Sequence, residues 1–302
     1  MVSYDGLNQL LKQRGMKKSQ LSREIGISSR TIAKISRGEK IADNVMARLC
    51  EFFGCERESI CAQAWDNKIL KALKEEKDAK ISGGLYHETQ IRLTYNSNRI
   101  EGSKLSEDQT RLIFETNTIG AQVGVPVDDV IETANHFRAI DYAIDVAQEP
   151  LSEEIIKHLH KILKTGTKDS YLSWFNVGDY KQRPNVVGGV ETTAPSRVAS
   201  EMKKLLAAYS KKDANIEDII EFHRSFEKIH PFQDGNGRVG RLICFKECLR
   251  FNIVPFIIED SKKMFYYRGL KEWDRERGFL IETCLDGQDT YKALVKYFEI
   301  DF

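Results

Sequence analysis

The sequence contains no apolar run near the ~20 residues that a membrane-spanning helix requires, and its first residues lack the apolar centre of a secretory leader. A bilayer-embedded protein is therefore excluded as a reading, no membrane partner is expected, and a cytoplasmic location is. The six cysteines (Cys50, Cys55, Cys61, Cys244, Cys248 and Cys284) include no CxxC pair and no Cys/His zinc spacing. They read as reduced core thiols. Proline is scarce, at six residues, and repeats and low-complexity tracts are missing, so the chain is not a linker-rich or solenoid protein. Neither sign of charge dominates: the formal net charge is +1.

What is present is ordinary globular material, 41% hydrophobic and 30% charged, in 302 residues. That length suits two domains at roughly 100–200 residues each. The small net charge is unevenly spread. Residues 1–60 carry 11 Lys/Arg against 7 Asp/Glu, a local net of +4 that leaves −3 for the remainder. This N-terminal stretch reads as four short helices. Tyr4 to Gln13 places Leu7, Leu10 and Leu11 at helical spacing; Gln20 to Ile25 follows; Ser28 caps a third helix bearing Ile32 and Ile35; the fourth runs from about Ala42 to Phe53. Helix, glycine turn and helix at this spacing form a helix-turn-helix. The run from Gln20 through Ile35 resembles the lambda-repressor/Cro-like family over residues 1 to about 60. That resemblance implies DNA binding through Ser29, Arg30, Thr31 and Lys34, which lie off the apolar stripe of the third helix. It also implies a homodimer, since such domains read paired half-sites. The plainer alternative is a helical interaction domain with a solvated basic face.

Residues 62–80, with Trp65, Ile69, Leu70 and Leu73, read as an amphipathic helix, and Ser82-Gly83-Gly84 breaks the chain after it. The expected organisation is therefore a DNA-binding domain (1–60), a helical linker (61–84) and a larger domain (85–302). From Leu85 onward helical patterns dominate, at Ser106–Phe114, Val127–Val146, Ser152–Leu163, Val198–Tyr209, Ile216–Ile229 and Gly240–Phe251. The exception is a β-branched stretch interrupted by Gly188-Gly189, between Pro184 and Pro195, which reads as a short hairpin. The expected fold class is all-α, with one hairpin.

The chemistry concentrates at Ile229-His-Pro-Phe-Gln-Asp-Gly-Asn-Gly-Arg-Val-Gly-Arg241. Pro231 ends the preceding helix. A glycine-containing loop then abuts the N-terminus of the next, where converging N–H groups and the helix dipole attract anions. Arg238 and Arg241 can pair with phosphate oxygens, Asp234 can hold a divalent metal, and His230 can accept a proton near neutral pH. Base, metal ligand and phosphate cradle within one loop describe phosphate-transfer chemistry. A bare glycine turn explains neither the histidine nor the arginines, and a calcium loop would need more carboxylates. No strand precedes the loop, so it is neither a Walker A nor a dinucleotide fingerprint.

Residues His230 to Arg241 match, at every specified position, the signature H-x-F-x-(D/E)-G-N-G-R-x-x-R of the Fic family, which roughly residues 85–300 resemble. The resemblance implies a mainly helical Fic domain with its core over about 127–270, moving AMP from ATP to a hydroxyl of a target protein, with magnesium. His230 would be the base and Phe232 an anchor for the loop. Asp234 would bind magnesium, and Gly235, Asn236 and Gly237 would hold the α- and β-phosphates. Arg238 and Arg241 would bind the outer phosphates. Tyr266 and Tyr267 would line the adenine pocket. Asn185, Val186, Val187, Gly188 and Gly189 would form the flap that docks the target by strand addition. The Doc toxins carry lysine at the second glycine and phosphorylate; Gly237 implies adenylylation. Transfer from another donor, phosphocholine among them, remains open. Lys181 stands where the family would have arginine.

Ser97-Asn98-Arg99-Ile100-Glu101-Gly102 matches the family's inhibitory motif, (S/T)-x-x-x-E-(G/N), at the end of a helix over about 85–102. Ser97 and Glu101 fall on one helix face. The resemblance implies that Glu101 pairs with Arg241 in a bidentate bridge and keeps it from the γ-phosphate, an internal brake. In some members the same glutamate also directs water to remove AMP, and modification of the protein itself is common. His223, two turns before His230, reads as a buried structural residue. A reading of a different class is a nucleotide-sensing transcription regulator without transferase activity.

Overall fold

The computed structural model describes residues 2–39, 41–63, 67–120, 124–210, 213–300 and 302. The described chain is all-α apart from two two-stranded antiparallel ribbons, and it divides into two compact units, Met1–Asn67 and Lys68–Phe302.

The first unit contains helices α1 (Asp5–Gln13), α2 (Leu21–Ile25), α3 (Ser29–Ser36) and α4 (Asp43–Phe53). Each buries one apolar stripe: Leu7 and Leu11, Leu21, Ile35, and Met46, Leu49 and Phe53 meet Ile27, Ile41 and Ile60 in one core. Ser28 caps α3 as its sequence dictates, its hydroxyl accepting from the Thr31 N–H at 3.2 Å. A short ribbon not anticipated from sequence pairs β1 (Val2–Ser3) with β2 (Ala62–Gln63), in the register Val2 opposite Gln63. Strands of two residues carry no readable alternation, so only the tertiary context reveals them.

The second unit is built from α5 (Lys68–Ala79), α6 (Leu85–Ile100), α7 (Glu107–Thr116), α8 (Val127–Asp145), α9 (Glu153–Lys164), α10 (Pro195–Tyr209), α11 (Ile216–Ile229), α12 (Asn236–Arg250), α13 (Lys263–Glu272) and α14 (Gly278–Tyr297). The residues read as a helical linker are divided between the units. β2 belongs to the first, and α5 buries Ile69, Leu70 and Leu73 in the core of the second. Trp65 lies outside the described residues. Helix α10 starts three residues earlier than its apolar period suggests, because Pro195 occupies the first turn, where proline's fixed φ fits. Helix α12 is buried on every side, with Val239, Leu242, Ile243, Phe245, Cys248 and Leu249 all almost inaccessible. It is the axis of the unit, packed by α11, α8, α9 and α6. The loop between α11 and α12 is thereby anchored to the core of this unit. Between α9 and α10 the hairpin forms as expected, β3 (Val186–Val187) against β4 (Val190–Glu191), closed by Gly188 and Gly189 with φ of 57° and 80°.

Candidate active site

The loop from His230 to Gly235 is shaped by its own side chains. His230 closes α11 in the left-handed conformation (φ 52°), which costs a non-glycine residue about 1 kcal/mol and is tolerated where surroundings fix it. Phe232 has no exposed surface and its ring stacks on His160, centroids 4.0 Å apart. The Asn236 amide makes a reciprocal pair with Phe232: its oxygen accepts from the Phe232 N–H at 2.8 Å, and its nitrogen donates to the Phe232 carbonyl at 2.9 Å. The side chain read as a phosphate holder is thus committed to closing the loop. Gly235 then caps α12 at φ 80°, a conformation natural to glycine.

His160, which the sequence does not single out, is the pin of this assembly. Its Nδ1 accepts from the Gly178 N–H at 2.9 Å, so Nε2 carries the proton and donates to the Asp234 carbonyl at 3.2 Å. Burial, reinforced by the Lys164 charge, pushes its pKa down to about 3, so it stays a neutral ring.

Beneath the loop lies a charge cluster not anticipated from sequence. The Lys164 ammonium donates to Asp234 Oδ2 at 2.6 Å and to Glu132, and Arg238 pairs with the same Glu132 and with Asp234 Oδ2 at 3.2 Å. Burial acts to raise the Asp234 pKa, yet Arg238 and Lys164 together hold its carboxyl well below the usual range. Asp234 is therefore an anion with Oδ2 engaged and its side chain half exposed. One partly free carboxylate oxygen beside a nest of N–H groups fits a magnesium ion that also binds phosphates. Lys164 and Glu132 escape sequence reading because each sits on a different helix, α9 and α8, far from the motif. The one available signal was Lys164 following His160 by four residues on an otherwise apolar face.

Arg241 is almost fully enclosed, at 4% exposure. Its Nε donates to the Ser97 hydroxyl at 3.0 Å, and Nη2 to the Ser97 carbonyl at 2.9 Å and to Glu101 Oε1 at 2.7 Å. The bridge with Glu101 is single-pointed rather than the bidentate pair expected, because Ser97 engages Nε and shares Nη2 while Nη1 turns to the Tyr266 hydroxyl. Gly237 makes the approach possible: a Cβ there would lie 2.2 Å from Glu101 Oε1. Gly102, at φ 101°, lets the chain leave α6 immediately after the glutamate. The two tyrosines differ. Tyr266 is 1% exposed, with its hydroxyl 2.8 Å from Nε2 of the buried His223 and accepting from Arg241 at 3.4 Å, whereas Tyr267 is 39% exposed and donates to the Ile100 carbonyl at 3.1 Å.

The flap base is tied to the loop. Asn185 donates to the carbonyls of Phe232 and Gln233, at 3.2 and 3.4 Å. Lys181 donates to Asn185 Oδ1 at 2.7 Å and to the Thr192 hydroxyl at 2.6 Å, bridging both ends of the hairpin, while its backbone N–H bonds the Pro231 carbonyl at 2.9 Å. Beyond this clamp Val186, Val187 and Val190 are 62%, 48% and 66% exposed, an unusual display of β-branched side chains. Burial, then the Lys181 charge, lowers the His230 pKa to about 4. In the first unit Ser29 and Arg30 are exposed, and Thr31 and Lys34 are half-buried. The Thr31 hydroxyl is 2.9 Å from that of Ser28, within the cap.

The loop thus sits at a helix N-terminus beside a histidine, two arginines and an exposed hairpin, an arrangement chemically suited to an anion. Residues 150–247 match the Fic/DOC family and residues 6–61 the Cro/C1-type HTH DNA-binding domain. The chain accordingly combines a Cro/C1-type helix-turn-helix domain with a Fic/DOC domain. It is similar to the protein adenylyltransferase Fic of Drosophila mojavensis, 25% identical over 229 residues that cover 72% of this chain and 44% of the relative. The protein of the same name from Nematostella vectensis is 26% identical, over 68% of this chain and 50% of its own. The chain thus spans about half the length of the curated relatives it matches. Among solved structures, a Fic domain containing signaling protein from Bacteroides thetaiotaomicron superposes with a TM-score of 0.58 at 24% identity, covering 76% of this chain and 90% of its own. Fic-1 from C. elegans gives 0.59 at 18% identity, over 97% and 84%. These two likenesses concern the fold. No helix among the described residues is long and apolar enough to cross a membrane.

Proposed function

We propose that the second unit transfers AMP from ATP to a hydroxyl of a protein, and that Glu101 holds it in check. The observation that carries this reading is the capture of Arg241 by Ser97 and Glu101 directly above Gly237, on the loop that bears His230. A guanidinium so engaged is unavailable to the outer phosphates of a nucleotide. With Glu101 displaced, Arg241 pairs with the γ-phosphate, and the N–H groups at the start of α12 hold the α- and β-phosphates. Asp234 would hold magnesium, which would supply neutralisation of the phosphate charge when bound. Arg238, tied to Glu132, acts by fixing Asp234 as well as by its charge.

His230 is neutral at pH 7, its pKa being about 4, so its base form is fully available. It takes the proton of the target hydroxyl while that oxygen forms a bond to the α-phosphorus. The bond from the α-phosphorus to the bridging oxygen breaks, and the electron pair leaves with pyrophosphate. The exposed valines of the flap would add a strand of the target and present its hydroxyl. The target includes the protein itself, and removal of AMP by Glu101-directed water is the reverse mode of the same site. Tyr267 would face the adenine, with Tyr266 behind it.

The first unit would bind DNA through Ser29, Arg30, Thr31 and Lys34, as a homodimer on paired half-sites, in the cytoplasm. The experiment uses α-labelled ATP, magnesium and a bacterial lysate with wild type, Glu101→Gly and Glu101→Gly/His230→Ala. Labelled protein with Glu101→Gly, faint in wild type and absent in the double variant, is the expected result. No label in any of the three despite ATP binding would overturn adenylyl transfer, and leave another donor or nucleotide sensing as the reading to pursue.

A further inference from the structure

Behind His230, on the preceding turn of α11, lies Glu227, a residue the transfer reaction as described leaves without work. Its Oε2 is 3.8 Å from Nδ1 of His230, a ring nitrogen that is itself buried. Its other oxygen, Oε1, is buried and makes no hydrogen bond among the described residues. A Cβ at Gly240 would come within 2.9 Å of that oxygen, so α12 closes over the carboxyl. A carboxylate enclosed this way is costly unless a positive charge faces it. Two groups can supply one. Arg241 is the first, but in this structure its charge is met by Glu101. The imidazolium of His230 is the second, and it exists only once the base has taken a proton.

We infer that Glu227 is a positioning residue linking brake to base: a neutral acid while Glu101 occupies Arg241, and the counter-charge of the His230 imidazolium once Glu101 has left. The inference rests on the reading of His230 as the base. The electrostatics agree in direction. Burial, then the negative charge of Glu101, pushes the Glu227 pKa up to about 8, with Arg241 opposing. Departure of Glu101 removes the like charge and bares Arg241, and both changes favour the anion. The other groups facing Glu227 are Tyr266, Tyr267 and Cys244, with pKa values raised, and His223, whose Nδ1 meets the same side of Gly240 and whose pKa burial lowers to about 3; all four are neutral near pH 7. Around His230, Lys181 disfavours the imidazolium, and a hydrogen bond to the Glu227 backbone, then Glu101 and Asp234, favour it; the backbone contact is common to Glu227 and its variants, so the comparison isolates the carboxylate. Glu101 itself therefore acts on His230, so the effect of Glu227 must be compared with Glu101 held constant.

The chemistry balances without a new reactant. The proton leaving the target hydroxyl resides on His230 Nε2, the ring is held by a hydrogen bond to the Glu227 backbone with the Glu227 carboxylate 3.8 Å from Nδ1, and Glu227 gains and loses no proton during transfer. Its contribution is to stabilise the charge that develops on the ring, as an orienting carboxylate does for a histidine base.

The test is the titration midpoint of His230, followed by NMR in full-length protein with labelled histidine, the signal assigned with His230→Ala. Glu227→Gln keeps shape and removes the charge. In the Glu101→Gly background it is expected to lower the midpoint by at least about half a unit. In wild type, where Glu227 is already neutral, it is expected to leave the midpoint in place. Glu227→Asp, which retains a charge, should give a midpoint between those of Glu and Gln in the Glu101→Gly background. This order survives as a test if the Gln variant folds poorly. In AMP transfer by Glu101→Gly protein, Glu227→Gln should lower kcat by roughly three- to tenfold, leave KM for ATP within about twofold, and move the acid limb of the kcat profile to lower pH. Equal midpoints with and without Glu227 in the Glu101→Gly background would overturn the inference, whatever the activity. Loss of transfer by Glu101→Gly itself would instead strike the proposed function, and the titration would still decide the pairing.

Discussion

The two units handle charge in opposite ways. Among the side chains described in the first unit, none that is polar or charged is buried, whereas the second encloses Lys164, Lys181, Arg238, Arg241, Lys246 and Glu247 at 4% exposure or less. The first unit keeps its apolar residues inside and displays its basic ones, as suits a surface that meets a large polyanion. The second unit has drawn its cations into the core, where each is held by a specific oxygen. Preorganised charge in a low-dielectric site is what phosphoryl and nucleotidyl transfer require, because there is little covalent work for the protein to do. Stability and function are therefore separable in the first unit and entangled in the second.

The sharpest way to break this contrast is Glu132→Ala. It strips Lys164 and Arg238 of the largely enclosed carboxylate they share besides Asp234, and should destabilise the second unit by about 3–5 kcal/mol, read as a lower urea midpoint. A change under ~1 kcal/mol would mean that the buried cluster is not the structural unit its geometry describes.

Acid should separate the units without a mutation. His136, His160, His223 and His230 are all in the second unit, and all have pKa values lowered by burial, the last three to about 3, 3 and 4. The first unit contains no histidine. Because the folded-state values are depressed, the unfolded chain binds more protons below the ordinary value of 6.5, and stability falls as pH falls from there toward about 4. Each histidine contributes about 1.4 kcal/mol per pH unit across its own window. Glu227, raised to about 8, acts in the opposite sense between 4.5 and 8, and offsets one of the four. Thermal melts at pH 7 and pH 5 should show the second unit losing Tm and the first scarcely moving; equal losses would contradict the assignment of four neutral buried rings.

The smallest effect sharpens the other side. Arg30→Ala should leave stability within about 0.5 kcal/mol, since the side chain is exposed and uninvolved in packing. Yet it should weaken DNA binding and reduce its salt slope by about one. A stability loss with unaltered DNA binding would remove Arg30 from the proposed interface.

The four helices of the first unit, the hairpin, and the loop from His230 to Arg241 could all be read in advance, because their signals are local. A serine cap, a glycine stop and a 3.6-residue apolar period act through the nearest few residues. The Glu101–Arg241 contact was foreseen from a family pattern rather than from spacing, and even then its single-point geometry was not. Helix α12 was harder. Its first turn, Asn236-Gly-Arg-Val-Gly-Arg, is poor in helix formers and carries almost no amphipathic signal, because all its faces are buried. Helix α14 was not singled out either, its apolar residues being interrupted by Gly287 and spread around the helix.

The sequence by itself therefore determined the elements, the division into a basic helical module and a larger helical one, and which loop would carry the chemistry. Only the tertiary structure decided what the polar residues of that loop do. Asn236 turned inward to pin Phe232, Tyr266 was enclosed against His223, and Lys164 and Glu132 arrived from separate helices to fix Asp234. The physical reason is range. Backbone preferences are settled within a turn or two of the chain, whereas a buried charge is affordable only where a partner, however distant in sequence, has been packed within hydrogen-bonding reach.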